Sequence, residues 1–159
     1  MSAITTQDLE LHRLWLADNT AGRRLERANS DLSYSNLYGS NLSGSDLSGS
    51  DLRGSNLHGS DLHGSNLYGS NLRGSSLSYS NLRAARGVLC LPIHDPRGYR
   101  CVAVWHSDGW RIASGCRWFG VGEAREHWGA NYSGDRAIGD AYLAALDWLA
   151  HQQCPQVVA

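Results

Sequence analysis

The chain has 159 residues, 42% of them hydrophobic, and its 14 basic residues, all arginine, are matched by 15 acidic ones. This balance excludes a strongly basic domain that would bind nucleic acid through a polybasic footprint. No apolar run approaches transmembrane length, and the N-terminus lacks the basic-then-apolar pattern of a signal peptide. We therefore expect a protein that acts in a cytoplasm, without membrane contact.

Residues 1–29 are predicted to form a capping helix and a lead-in. Thr5 and Asp8 suit an N-cap followed by an early acid, and the helix should end near Asp18. Its apolar stripe consists of Leu9, Leu11, Leu14, Trp15 and Leu16. His12 and Trp15 are interpreted as packing residues of this helix.

Residues 30–85 carry a five-residue repeat. Leucine recurs at every fifth position from Leu32 to Leu82, and a serine stands two residues before each leucine. Asp or Asn lies between them in almost every unit, and most units have Gly two residues after the leucine. A period of five fits neither a helix nor a strand, so the pattern indicates a solenoid.

The motif Ser-(Asp/Asn)-Leu-x-Gly resembles the pentapeptide-repeat family. That resemblance implies a β-solenoid, a right-handed quadrilateral β-helix in which one unit forms each side and four units form a coil. The segment would hold about three coils, with a height of about 13 Å at the strand spacing. We expect the leucines to fill the tube, and the serine hydroxyls to donate to main-chain carbonyls inside it. The N-terminal helix would then cover one open end.

The surface of such a tube carries columns of residues twenty apart, and the partner-binding candidates among them are Arg53, Arg73, Arg83, Tyr38, His58, His63 and Tyr68. The columns after each leucine are Ser33, Arg53 and Arg73; Tyr38, His58 and Ser78; Ser43, His63 and Arg83; and Ser48 and Tyr68. Asp51 and Asp61 are two of the few repeat carboxylates and complete the candidates. Better-known members of the family protect or inhibit DNA gyrase with a long acidic rod, and this chain departs from that pattern in length and in charge.

Residues 86–159 change abruptly in composition and are predicted to form a small α+β domain. A three- to four-stranded antiparallel sheet should precede two helices. The expected strands are Gly87–Ile93, Tyr99–His106, Trp110–Ala113 and an extension at Cys116–Phe119, and the expected helices are Val121–Trp128 and Asp135–His151. The tail after Gln152 is predicted to fray.

The pattern from Gly109 to Trp128 resembles a small α+β domain that accompanies pentapeptide repeats in phage and prophage proteins. The resemblance implies a phage setting and brings no catalytic residue with it. Trp110, Arg117 and Trp118 are added to the partner-binding candidates, because Trp and Arg are enriched at the energetic centres of interfaces.

Enzymatic chemistry has little support in the sequence. Cys116 could be paired with His106 or His127 as nucleophile and base, but no oriented third group is evident. His94 and Asp95 supply too few ligands for a metal and read as a turn before a proline. The four cysteines lack metal-site spacing and are expected to be free, buried thiols. No cofactor or metal is predicted.

The leading hypothesis is a non-enzymatic phage or prophage protein that binds a host macromolecule and inhibits or redirects it. A host defence nuclease or DNA-processing enzyme is the expected class of partner, and direct nucleic-acid binding is disfavoured. A homodimer could form through the C-terminal domain. Two alternatives stay open: a structural or assembly component of a phage particle, and a small-ligand binder or enzyme using the C-terminal domain.

Overall fold

The computed structural model describes residues 4–93, 100–114, 117–129 and 132–152. The helices and strands, in chain order, are α1 (Thr6–Ala17), β1 (Val88–Cys90), β2 (Cys101–His106), β3 (Gly109–Ser114), β4 (Arg117–Gly120), α2 (Val121–Trp128) and α3 (Arg136–Ala150). The repeat solenoid lies between α1 and β1. No described helix has both the length and the apolar character needed to span a membrane.

The repeats stack as a parallel ladder whose partners lie twenty residues apart, which is four five-residue units. One such column of bridges joins Glu26, Asp46, Asn66 and Arg86 in turn. Main-chain hydrogen bonds lie on both sides of each bridge, as in the bond from Leu52 N to Asn71 O at 2.9 Å beside the bridge of Asp51 and Asn71. The columns predicted from the sequence are therefore the columns of the structure.

The interior of the solenoid is a single cluster of leucines, all of them nearly inaccessible to solvent from Leu32 to Leu82. From Ser50 to Ser80 the corner serines bond as predicted, their hydroxyls donating to the carbonyl of the leucine three residues earlier. Ser60 shows this bond to Leu57 at 2.8 Å, and the same bond occurs at Ser50, Ser55, Ser65, Ser70, Ser75 and Ser80. Ser45 is buried with a hydroxyl that has no partner among the described residues.

The ladder begins one unit before the predicted start of the repeat at Ser30. Glu26 pairs with Asp46, and the Arg27 N–H donates to the Asp46 carbonyl at 2.8 Å. In this unit Leu25 takes the corner place and Arg27 takes the leucine place, so the unit has the repeat's backbone without its sequence signature. Arg27 instead binds Asp8 of α1 at 2.6 Å.

Helix α1 covers the lower end of the tube, where its apolar side packs against the leucine cluster. Thr5 and Asp8 form a reciprocal capping box at its start. His12 is fully buried, accepts a hydrogen bond from the Leu25 N–H at 3.1 Å through Nδ1, and stacks on Trp15. The expectation that both rings serve the cap is confirmed for His12, and Trp15 is half-buried beside it.

The C-terminal sheet is antiparallel in the order β1-β2-β3-β4 and lies between the tube and two helices. On one face, Val102 of β2 and Ala113 of β3 join the leucine cluster. On the other face, Ile112 packs with residues of α2 and α3, among them Trp128 and Leu146. The sheet thus closes the upper end of the tube and shares one core with it.

The ladder of the tube runs directly into this sheet. The Gly69 N–H donates to the carbonyl of Trp105 in β2 at 2.8 Å, and the Trp105 N–H donates to the Gly87 carbonyl at 2.8 Å. Nε2 of His106 lies 3.0 Å from the Ser70 carbonyl. Strand β1 is shorter than predicted, since it ends at Cys90. Residues 94–99 and 115–116 of the predicted strands and turn lie outside the described residues.

Candidate partner-binding surface

An exposed column of aromatic rings runs along the tube. Tyr38 stacks on His58 with ring centroids 5.4 Å apart and planes 4° apart, and His58 meets the edge of Tyr79 at 5.2 Å. Tyr38 is 64% exposed and Tyr79 84% exposed. Tyr38 and His58 are one coil apart in the same column, and Tyr79 stands at the turn next to Ser78, the residue of that column in the coil above, so the three rings form a continuous aromatic strip.

Tyr79 and Tyr34 were not among the candidates named from the sequence. Each stands where most units have glycine, with left-handed φ angles of 58° and 59°. The ring of Tyr34, 80% exposed, lies over Gly54, where an added Cβ would come 2.7 Å from the ring. The signal that could have revealed both is their departure from glycine at a turn that strongly favours it.

The candidate arginines divide into a paired and an unpaired group. Arg53 binds the neighbouring Asp51 through two nitrogens, and this hydrogen bonding lowers the pKa of the Asp51 carboxyl. Arg73, one coil above Arg53, and Arg83, one coil above His63, form no ion pair with any described residue. Both are exposed.

The remaining repeat candidates have local partners. Asp61 accepts from the main-chain N–H of His63 at 2.9 Å and from the Asn81 amide at 3.0 Å. The backbone of Tyr68 lies against Gly87, at the junction of tube and sheet. Tyr68 is half-buried, so it offers less surface than the aromatic column does.

The C-terminal candidates lie in three different environments. Trp110 is only 8% exposed and packs edge-on against Trp105 in the core between sheet and helices, so it serves that core and presents no contact surface. Trp118 is half-buried against the leucine cluster and meets His106 edge-on. Arg117 is exposed. Because successive side chains of a β-strand point to opposite faces of the sheet, a tryptophan such as Trp110 can lie in the core. The amino-acid composition of the segment does not show which face a tryptophan occupies.

The histidines considered for catalysis are held by structural contacts. Burial lowers the pKa of His106, whose Nε2 is directed to the Ser70 carbonyl. Burial also lowers the pKa of His127, which stacks on Phe119 at 5.0 Å. Cys116, His94 and Asp95 lie outside the described residues. Of the described cysteines, Cys101 is buried as expected, whereas Cys90 is exposed. Over the described ranges, no cluster of three potential metal ligands occurs.

The family model for pentapeptide repeats matches residues 30–67 and 55–86. The solenoid is a pentapeptide-repeat segment. A pentapeptide-repeat protein from the cyanobacterium Cyanothece 51142 is 32% identical over 43% of this chain and 58% of its own, with a TM-score of 0.35. HetL, a pentapeptide-repeat protein involved in heterocyst differentiation regulation in Nostoc, is 24% identical over 43% of this chain and 42% of its own, with a TM-score of 0.34.

The chain spans about half the length of these two solved structures. Among curated proteins, none matches the sequence.

Proposed function

We propose that this pentapeptide-repeat protein is a non-enzymatic phage or prophage protein that binds a host protein and inhibits or redirects it in the bacterial cytoplasm. The expected targets are defence nucleases and DNA-processing enzymes. The phage setting rests on the resemblance of residues 109–128 to a domain of phage proteins. The binding role rests on the repeat surface, because pentapeptide-repeat proteins commonly mediate protein interactions.

The observation that carries the proposal is the exposed aromatic column of Tyr38, His58 and Tyr79 on a rigid support. Its backbone is fixed by the ladder between coils, and its tyrosines need little ordering on binding. We propose that the four columns are the sides of a right-handed quadrilateral tube of about three coils. Such a tube holds its surface side chains in fixed register for a partner.

The two ends of the tube support a binding role of this kind. Helix α1 packs on the lower end and the C-terminal sheet packs on the upper end, where the Gly69 N–H donates to β2, so part of the coil edge is covered. Binding would therefore use side chains of the tube's sides. A homodimer, if formed, would use the C-terminal domain, where Trp148 of α3 is partly exposed.

The proposal is tested by affinity capture from a lysate of the bacterial host, using the tagged full chain at low and high salt. A single host protein retained in stoichiometric amount, whose activity falls when the pure proteins are mixed, is the expected result. Retention of no macromolecule, together with many copies of the chain in purified phage particles, would overturn the proposal in favour of a structural role.

A further inference from the structure

The charges of the tube are segregated along its length. At the position before each leucine, the coil of residues 45–64 carries Asp46, Asp51 and Asp61. The coil above it, residues 65–84, has only Asn or Ser at that position. Arg73 and Arg83 belong to this upper coil and have no ion pair within the described part of the chain. The upper coil therefore presents cations without compensating carboxylates.

These two arginines lie in the two columns that adjoin the aromatic column, and therefore on opposite sides of a four-sided tube. Arg73 lies in the column before that of Tyr38 and His58, and Arg83 lies in the column after it, at the level of Tyr79. We use the name tyrosine surface for Tyr34, Tyr38, His58 and Tyr79. On the next side of the tube, Trp15 of α1 lies against Gly44. The tyrosine surface carries no such covering from the described residues, as its exposure shows.

The composition of this side of the tube is that of a protein-recognition surface. Tyr, Ser, Asn and Gly surround the rings, with Arg at the margin. The same residues dominate antibody combining sites, because tyrosine supplies rigid contact area and the small polar residues supply adaptable hydrogen bonds.

A second copy of the chain is a poor occupant, because a two-fold contact would set this side and its arginines against the same groups of the copy. One side of the tube is also too small to form a stable interface by itself. The ladder from Glu26 to Arg86 has four levels, which gives a height of about 14 Å. Five residues span at most about 17 Å, so a side offers roughly 240 Å², against the ~800 Å² that each partner buries in a stable interface. The occupant must extend past the edges of the side and reach both flanking arginines.

We propose that the tyrosine surface, with Arg73 and Arg83, is the docking site for an acidic segment of a partner protein. The rings of Tyr38 and Tyr79 contact apolar groups of the segment, and the two guanidinium groups bind its carboxylates. This inference rests on the proposed function and adds the surface used and the chemistry of the segment.

The test measures binding of three labelled probes to the full chain by fluorescence anisotropy: a peptide of alternating Glu and Tyr, a peptide of alternating Lys and Tyr, and a thymidine oligonucleotide of equal length. We expect the acidic peptide to bind about tenfold or more tightly than the other two, and less tightly at high salt. Arg73→Gln, Arg83→Gln and the double variant Tyr38→Ala/Tyr79→Ala should each weaken it by about tenfold.

Arg86→Gln is the matched control, since Arg86 is exposed at a similar height, lacks an ion pair to any described residue and lies in the column that carries Asp46. It should change affinity less than about twofold. An equal loss with Arg86→Gln, tighter binding of the oligonucleotide, or a dimer in sedimentation that Tyr38→Ala/Tyr79→Ala abolishes would each overturn the inference. If host-protein capture persists in the Tyr38→Ala/Tyr79→Ala variant, the tyrosine surface is wrong and the proposed function stands.

Discussion

Gly87 is the residue at which the chain leaves the tube, and replacing it with alanine tests the join between tube and sheet. Its φ is +76°, and an added Cβ would lie 2.6 Å from both Cα and N of Tyr68. These are backbone atoms of the coil below, so they cannot move without breaking the ladder. The Gly87 carbonyl also accepts the Trp105 N–H, which ties the same peptide to β2.

The cost of Gly87→Ala has two parts. A left-handed φ costs an L-residue about 1–2 kcal/mol, and overpacking against fixed atoms costs about 1–3 kcal/mol more. The free energy of unfolding should therefore fall by about 2–5 kcal/mol, and the Tm by roughly 5–15 °C for a chain of this size. Urea unfolding followed by circular dichroism, with a parallel thermal melt, measures both.

Gly59→Ala is the control, because Gly59 has a similar φ of +66° but no atom within 4 Å of an added Cβ. Ala84 already occupies the same turn at a φ of 54°. Only the conformational cost remains, about 1 kcal/mol or slightly more. If Gly87→Ala were no more destabilising than Gly59→Ala, the close approach of Gly87 to Tyr68 would not be a constraint and the reasoning would be refuted.

Three further predictions concern the interior and the cap. Ser60→Ala should lower the free energy of unfolding by about 1 kcal/mol, because it removes a hydroxyl that donates to the Leu57 carbonyl. Ser45→Ala removes a hydroxyl that has no partner among the described residues and should be neutral or stabilising. Equal decreases in the free energy of unfolding of the two variants, measured by urea denaturation, would contradict this. Hydrogen bonds from Thr5, and then Arg27, lower the pKa of Asp8 to about 2. The Asp8 carboxylate should therefore stabilise the fold by about 1–2 kcal/mol after solvent screening above pH 3.8, and this stabilisation should be lost as the pH falls through about 2. The variant Asp8→Asn should show a weaker dependence of Tm on pH in that range. Burial lowers the pKa of His12, so the buried neutral imidazole costs the fold no protonation energy above the unfolded pKa of 6.5, and the free energy of unfolding decreases as the pH falls below that value. If the slope of Tm against pH is the same in His12→Gln as in the parent chain, protonation of His12 does not destabilise the fold.

Much of the solenoid could be predicted because its structure is written in local, repeated choices. Leucines recur at the same place in successive coils, so a single motif predicts the buried side chains, the serine hydrogen bonds and the columns. The capping box of Thr5 and Asp8 is equally local, since its two hydrogen bonds span three residues. The same registry predicts that Tyr38 and His58 are neighbours, because they lie twenty residues apart.

The unit at Leu25–Asn29 shows where such reasoning stops. It has neither the serine nor the leucine of the motif, and it joins the ladder only because Glu26 meets Asp46 and Arg27 meets Asp8. Both contacts join residues far apart in the chain, so the sequence of residues 25–29 does not contain the repeat motif that would have predicted them.

By itself, the sequence determined the repeat, its register and the two classes of element after it. Only the tertiary structure decided that the sheet would close the tube, that Trp110 would face α2 and α3, and that the rings of Tyr34 and Tyr79 would be exposed. The physical reason is that periodic backbone bonding and leucine burial repeat every five residues. The orientation of a sheet and the exposure of a ring depend instead on partners far away in the chain.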